Sequence, residues 1–156
     1  MSKISATITA LGAYVPEHIL SNAMLENMVD TNDEWITTRT GIKERRILKE
    51  NGKGTSYLAI NAAKDLIKKA ELDPSTIDLV IVATATPDMK AASTASFTAT
   101  AIGACNAFSF DMDSACSGFL FGMSTAASYI ESGRYKKILL IGADKMSSIV
   151  NYKDLS

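Results

Sequence analysis

The stretch DMDSACSGFLFGM, Asp111 to Met123, sets a cysteine among small residues where one apolar run ends and an amphipathic one begins. Ala107–Met112 reads as a strand and Cys116–Glu131 as a helix, so Cys116 falls at the carboxyl end of a strand and the N-terminus of a helix. Unpaired backbone N–H groups and the helix dipole favour an anionic sulfur there. Ala115, Ser117 and Gly118 leave room for another backbone or a substrate to approach. The chemistry on offer is nucleophilic attack by a thiolate. The same position also suits a small thiol that fills a gap in the core, and position alone leaves both readings open. Cys105, in the loop IGACNAF, has no helix opening beneath it and reads as structural. His18, the one histidine, sits in PEHIL and reads as an exposed loop residue. With no CxxC pair and no plausible histidine partner, a redox or cysteine-peptidase site is disfavoured.

The elements around Cys116 must hold it in place. Ile4–Val15 is rich in β-branched residues and reads as a strand. Asn22–Asp30 carries Leu25, Met28 and Val29 at helical spacing behind a Ser21 N-cap. Asp33 and Glu34 open a second short helix, capped by Thr31 or Asn32 and ended by Gly41. GIKERRIL (Gly41–Leu48) reads as extended and ENGKG (Glu50–Gly54) as a loop. Ser56–Ala70 is an amphipathic helix with Leu58, Ala62, Leu66 and Ala70 on one face. Asp78–Thr84 is a continuous apolar run, the mark of a strand buried on both faces. Ser93–Ile102 is a helix stopped by Gly103. Ala107–Met112 places Phe108 and Phe110 on one face. The helix after Cys116 has Phe119, Leu120, Met123, Ala127 and Ile130 on its expected buried side, and Lys137–Ile141 is the last strand. Strands alternating with helices predict an α/β layered fold with a mostly parallel, five-stranded sheet.

Bulk properties narrow the function. The chain has 156 residues, a length that suits one domain and buries roughly 70% of the surface its unfolded form exposes. Hydrophobic residues make up 47% and the formal net charge is -1. No basic stripe favours nucleic acid. The runs LVIVATA and ILLIGA fall short of the ~20 residues of a membrane span. The start has no signal-peptide layout and two cysteines suggest reduced thiols, so the reading is cytoplasmic. No repeat, low-complexity segment or metal-ligand cluster is evident.

Two segments then point to a family. DTNDEWITTRTGIKERRI (Asp30–Ile47) together with DSACSGF (Asp113–Phe119) resembles β-ketoacyl-[acyl-carrier-protein] synthase III of the thiolase-like superfamily. GAYVPE and VATATPD fit the same family, and the likeness runs from Ile4 to about Asp154. The tryptophan motif is specific to this branch, whereas the cysteine context is shared across the superfamily. The resemblance implies an acyltransferase that condenses an acyl-coenzyme A primer with malonyl-acyl carrier protein to begin fatty-acid synthesis. It implies Cys116 as the acyl-accepting nucleophile, with its own N–H as one oxyanion donor. It implies Trp35 as the residue that stacks on the adenine of coenzyme A, and Thr31 and Arg39 as neighbouring coenzyme-binding positions. Without it, Trp35 reads as a half-buried packing residue and Arg39 as a solvated charge. Coenzyme A thioester enters as substrate, and no cofactor is expected. Family members are homodimers in which the strand matching Ala107–Met112 pairs across the two-fold.

The sequence departs from the family in three places. Some relatives place an arginine opposite the adenine-stacking tryptophan; the matching stretch KMSSIVNYKD has Ser148 there. Relatives often line the primer pocket with an aromatic-Pro-Ser sequence; here it is KAAS (Lys90–Ser93), with Ala91 in the aromatic place, which suits longer or branched primers. The family fold has two similar halves, and this chain matches the first. The histidine and asparagine that assist malonyl decarboxylation belong to the second. The expectation is therefore the N-terminal half of a ketoacyl synthase, residues 1–156, with the C-terminal half absent. Made alone it is expected to be inactive in condensation and poorly soluble or self-associating. A secondary-metabolite ketosynthase of the same branch and a non-catalytic scaffold half of a two-chain assembly are the alternatives.

Overall fold

The computed structural model describes residues 4–152. Lys153 and Asp154, where the family likeness ends, lie outside the described residues. Length suits one domain, yet the chain divides into two compact units: Met1–Tyr14 with Gly54–Asp144, and Val15–Lys53 with Lys145–Ser156.

The larger unit is built on a parallel three-stranded sheet. In the second unit, β1 (Ile19–Ser21) and β2 (Glu44–Arg46) pair antiparallel as a separate sheet. The sheet of the larger unit holds β3 (Leu79–Ala83), β4 (Phe108–Met112) and β5 (Ile138–Gly142) in the order β4-β3-β5. Five strands are thus present among the described residues, but divided between two sheets, three of them parallel. The central strand LVIVA is buried at every residue, as its unbroken apolar run requires, because helices cover both of its faces. Burying each Val, Leu or Ile contributes about 1.5–3 kcal/mol, so this strand anchors the unit.

Val80, Val82, Leu139 and Ile141 cluster with Ala59 and Ala63 of α3 (Thr55–Ala70) and with Ala95, Ala99 and Ile102 of α4 (Thr94–Ile102). The period-2 alternation of a strand sends Ala83 and Leu140 to the opposite face, where they meet the glycines of α5 (Gly118–Glu131). The expected face of α3 is displaced by one position: Ala59 and Ala63 are the buried residues, and Leu58 and Ala62 are only partly covered. Their small size lets α3 and α4 approach closely. Helix α4 has its Ser93 cap and a left-handed Gly103 at its end, and Asp111 of β4 accepts from the N–H groups of Thr94 and Ala95, both at 2.7 Å.

Ile4–Val15 does not form a strand among the described residues. A strand needs a ladder partner, and this segment is instead fastened to α3. The Ala13 N–H donates to Asp65 Oδ2 at 2.9 Å, and a Cβ on Gly12 would lie 2.5 Å from the Leu66 nitrogen. β-Branched composition alone did not report the missing partner.

Asp78 ties the entrance of β5 to β3. Its Oδ2 accepts from the N–H groups of Lys136 at 2.8 Å and Lys137 at 2.9 Å. Those two bonds, Lys136 first, hold its carboxyl below the ordinary 3.8. A carboxyl depressed by folding contributes stability that is complete above its unfolded pKa and disappears as pH falls through the folded value. The melting temperature is therefore expected to fall as pH drops below 3.8, and less steeply for Asp78→Asn. Asp65 and Asp73 are lowered in the same direction, chiefly by hydrogen bonds from Lys69 and Ser75 respectively, and add to the slope. A melting series across this window for both proteins checks the assignment.

In the smaller unit, Ser21 Oγ caps α1 (Asn22–Glu26), which stops four residues short of the expected Asp30. Asn32, of the two candidate caps, accepts from Trp35 N–H at 2.7 Å and opens α2 (Asp33–Thr40); Gly41 closes it in the left-handed conformation at φ 71°. A cavity of about 620 Å³ is lined by Leu20, Met24, Met28, Leu48, His18 and Tyr152, among others. His18 is only partly exposed, against the expectation of an exposed loop residue. Its carbonyl accepts from Ile47 N–H, and its buried Nε2 has no partner among the described residues.

Candidate active site

All three strands of the parallel sheet end at one edge, and Cys116 lies four residues beyond β4 at that edge. The chain leaves β3 toward β4 through α4 and returns across β3 to β5 through α5. The connections that leave the carboxyl ends of β3 and β4 therefore diverge to opposite faces of the sheet. Open parallel sheets place their ligand sites at such a divergence. Cys105 precedes β4 by three residues and so lies at the opposite edge, exposed in a turn. The buried residue of that loop is its neighbour Ala104.

Cys116 sits in a single 3-10 turn, Ala115–Ser117, inserted between β4 and α5. Helix α5 begins at Gly118 and not at Cys116. Ala115 takes a left-handed backbone, φ 44°, which costs a residue with a Cβ about 1–2 kcal/mol. Asp113 Oδ1 accepts from the Ala115 N–H at 3.4 Å, while Ser117 N–H bonds to the Ser114 carbonyl. The Cys116 N–H has no acceptor among the described residues, so it is available to an oxyanion. Cys116 is an exposed residue. A strained turn that lifts a nucleophile out of the top of a parallel sheet is a recurring way to present it.

Helix α5 is oriented differently from the expectation. Its face to the sheet is Gly118 and Gly122, both buried, not Phe119, Leu120 and Met123. A Cβ on Gly118 would lie 3.4 Å from Ala83 Cβ, and one on Gly122 would lie 2.5 Å from Leu140 Cδ1. Two glycines four residues apart let the helix backbone lie close on the sheet, and the bulky residues turn outward. Leu120 is 66% exposed. The Gly118-x-x-x-Gly122 spacing was the signal in the sequence that carried this orientation.

The carboxyl edge also carries, after β3 and β5, a polar network not anticipated from sequence. Asp144 Oδ1 accepts from Thr84 Oγ1 at 3.1 Å, Ala85 N–H at 2.8 Å and Thr86 Oγ1 at 3.1 Å. Thr55 Oγ1 donates to the Thr86 carbonyl at 2.5 Å, and Asp88 accepts from Ser56 N–H at the start of α3. These bonds fix the loop after β3, which leads into Lys90–Ser93.

The other sequence-predicted residues belong to the smaller unit. Trp35 and Arg39 stand one turn apart on α2, and the Arg39 guanidinium carbon lies 4.5 Å from the centroid of the Trp35 ring. Trp35 is 51% exposed, with one side of its residue open to solvent. Thr31 precedes the Asn32 cap and is partly exposed. Ser148 is exposed in the 3-10 turn Met146–Ser148, its hydroxyl donating to the Lys145 carbonyl at 2.7 Å. Among the described residues, no His, Cys, Asp or Glu cluster fits a metal ion, and no helix is long and apolar enough to cross a membrane.

The comparisons with known proteins agree with this arrangement. The family model of 3-oxoacyl-[acyl-carrier-protein] synthase III matches residues 110–156. β-Ketoacyl-[acyl-carrier-protein] synthase III 2 of Bacteroides thetaiotaomicron is 60% identical over 154 residues, 99% of this chain and 46% of the relative. The crystal structure of 3-oxoacyl-[acyl-carrier-protein] synthase III from Aquifex aeolicus superposes with a TM-score of 0.89 at 46% identity, over 94% of this chain and 47% of that one. A priming β-ketosynthase of the R1128 polyketide pathway also gives 0.89, at 34% identity, over 94% and 44%. The chain spans about half the length of the relatives it matches. In sequence and in its thiolase-like α/β fold, the chain is similar to β-ketoacyl-[acyl-carrier-protein] synthase III proteins across slightly less than half of their length.

Proposed function

We propose that this chain is the cysteine-bearing, N-terminal half of a ketoacyl synthase III, and that Cys116 is its acyl acceptor. The observation that carries the proposal is the exposed Cys116 on its left-handed turn at the carboxyl edge of the parallel sheet. The Cys116 thiolate attacks the thioester carbonyl of acyl-coenzyme A, and the carbonyl oxygen takes the negative charge beside the Cys116 N–H. The carbon–sulfur bond to coenzyme A then breaks, releasing coenzyme A thiol and leaving the acyl group on Cys116. In the second stage malonyl-acyl carrier protein loses carbon dioxide. Its carbanion attacks the Cys116 thioester, forming 3-oxoacyl-acyl carrier protein and freeing the thiol. Groups that assist the loss of carbon dioxide belong to the second half in the family, so residues 1–156 alone accept an acyl group but do not condense it.

Trp35, with Arg39 over its ring, and Thr31 beside the cap of α2 form the coenzyme A side of the proposal. Arg39 supplies a stacked cation near Trp35 in a chain that has Ser148 where some relatives carry arginine. Ala91, exposed in the loop after β3, suits a longer or branched primer. Strand β4 is an edge strand whose outer side is unpaired among the described residues, which supports a homodimer paired through it. The proposed setting is the cytoplasm, with no cofactor beyond the coenzyme A substrate. The likeness to a polyketide priming synthase keeps a secondary-metabolite product as the second reading; the presence of Cys116 disfavours a scaffold half.

The test is incubation of the full-length protein with radiolabelled acyl-coenzyme A, followed by digestion and mapping. Label is expected on the peptide containing Cys116. Label on Cys105, or none, overturns the proposal.

A further inference from the structure

The outer face of α2 carries Trp35 and Arg39; its inner face is fastened from α1 by Glu26 at its first residue and, across several elements, by the buried Asn22. Asn22 is 2% exposed. Its Nδ2 donates to Asp33 Oδ1 at 2.7 Å, to Ile42 O at 2.8 Å and, more weakly, to Thr37 Oγ1 at 3.3 Å. Its Oδ1 accepts from Arg45 of β2, and its backbone N–H reaches the Lys43 carbonyl at 3.1 Å. One buried amide therefore ties α1 to the first turn of α2, to the chain just after α2 and to β2. Thr37 Oγ1 also donates to Asp33 Oδ1 at 3.2 Å, and the Asp33 N–H donates to Glu26 Oε1 at 2.6 Å.

The angular positions decide what this does. Asp33 and Thr37 are four residues apart and share a face of the helix. At 100° per residue, Trp35 and Arg39 lie on the far side. The rotation of α2 about its axis sets where the Trp35 ring points, and Ile36 and Asn22 are the buried groups that fix that rotation. Ile36 contributes apolar packing, which tolerates small rotations. The amide has directional bonds to the inner face and does not.

We infer that Asn22 is the positioning residue for the nucleotide platform: it sets the rotation of α2 and hence the orientation of Trp35 and Arg39. The inference rests on the reading of Trp35 as the coenzyme A stacking residue. It assigns Asn22 no contact with substrate. Removing its amide leaves the chemistry at Cys116 intact and weakens recognition of the nucleotide end of the donor.

The experiment compares two donors in the full-length protein: acyl-coenzyme A, and the same acyl group on N-acetylcysteamine, which lacks the nucleotide. Asn22→Leu keeps the branching at Cγ and removes every side-chain hydrogen bond; Thr37→Val removes one partner and serves if Asn22→Leu does not fold. KM for acyl-coenzyme A is expected to rise about fivefold in Asn22→Leu, the scale of one hydrogen bond's worth of positioning. Thr37→Val changes it in the same direction by less. kcat/KM for the truncated donor stays at the wild-type value. Fluorine NMR of 5-fluorotryptophan-labelled protein, with the Trp35 resonance assigned by its loss in Trp35→Phe, is expected to show that resonance shifted or broadened. The reciprocal pair Asn22→Asp with Asp33→Asn restores a donor and an acceptor across the same contact and recovers part of the KM. An unmoved Trp35 resonance with unchanged KM overturns the inference, as does an equal loss on both donors in Thr37→Val. Failure of the underlying reading looks different: the wild-type protein would then show no preference for acyl-coenzyme A over the truncated donor.

Discussion

Cys116→Ser is expected to eliminate acyl transfer in the full-length protein and to leave the fold in place. A serine hydroxyl has nearly the shape of the thiol, but it is essentially un-ionised near neutral pH. It needs an adjacent base to attack a thioester. The chain's one histidine, His18, belongs to the other compact unit and stands in no catalytic motif. Loss of about a thousandfold or more in acylation is therefore expected, on the scale seen when an unassisted hydroxyl replaces an activated nucleophile. Because Cys116 is an exposed residue outside the packed cluster, unfolding free energy should change by less than about 0.5 kcal/mol. Intact-mass detection of the acyl-enzyme, paired with thermal melts, reads both quantities. Acylation within a few-fold of wild type in the serine variant would remove Cys116 from the mechanism.

The largest stability effect is expected at the centre of the sheet. Ile81 is fully buried in β3, between its partners Phe110 and Leu140. Ile81→Ala leaves a cavity on a strand that cannot collapse around it, and a loss of about 2–5 kcal/mol is expected. That is a large part of the roughly 5–15 kcal/mol of a typical domain. Leu120→Ser, a change of comparable size on the outward face of α5, should alter unfolding free energy little. It should instead reduce self-association, because Leu120 is a large apolar side chain left exposed on α5. Urea melts and sedimentation of the two variants separate the effects. Equal destabilisation by both would mean that the outward face of α5 is packed in solution.

Local signals carried much of the fold. Asn32, Ser93, Gly41, Gly103 and Gly133 mark helix ends through capping chemistry and left-handed turns that depend on one or two residues. The apolar run of β3 marked a central strand for a similar reason. What stayed hidden depends on partners remote in sequence. Ile4–Val15 has strand composition, but a ladder is a property of two segments. The faces of α3 and α5 were assigned by bulk, whereas small residues, Ala59, Ala63, Gly118 and Gly122, make the closest approaches. The place of Cys116 between a strand and a helix was legible, but its proposed role, like those of Trp35 and Arg39, came from the family resemblance alone. The Asp144 and Asn22 networks were not legible, since each joins polar residues across 11 to 60 positions.

The two thiols occupy opposite edges of one sheet. Five residues of β4 separate those edges, about 16 Å of strand at 3.3 Å per residue. A disulfide needs its Cα atoms within about 7 Å. Oxidation therefore cannot close a ring within the chain, and any disulfide formed from Cys105 and Cys116 must join two molecules. Cys105 is thereby a chemical handle at the far edge: a bulky maleimide placed there in the Cys116→Ser variant marks or tethers the protein from the edge opposite position 116.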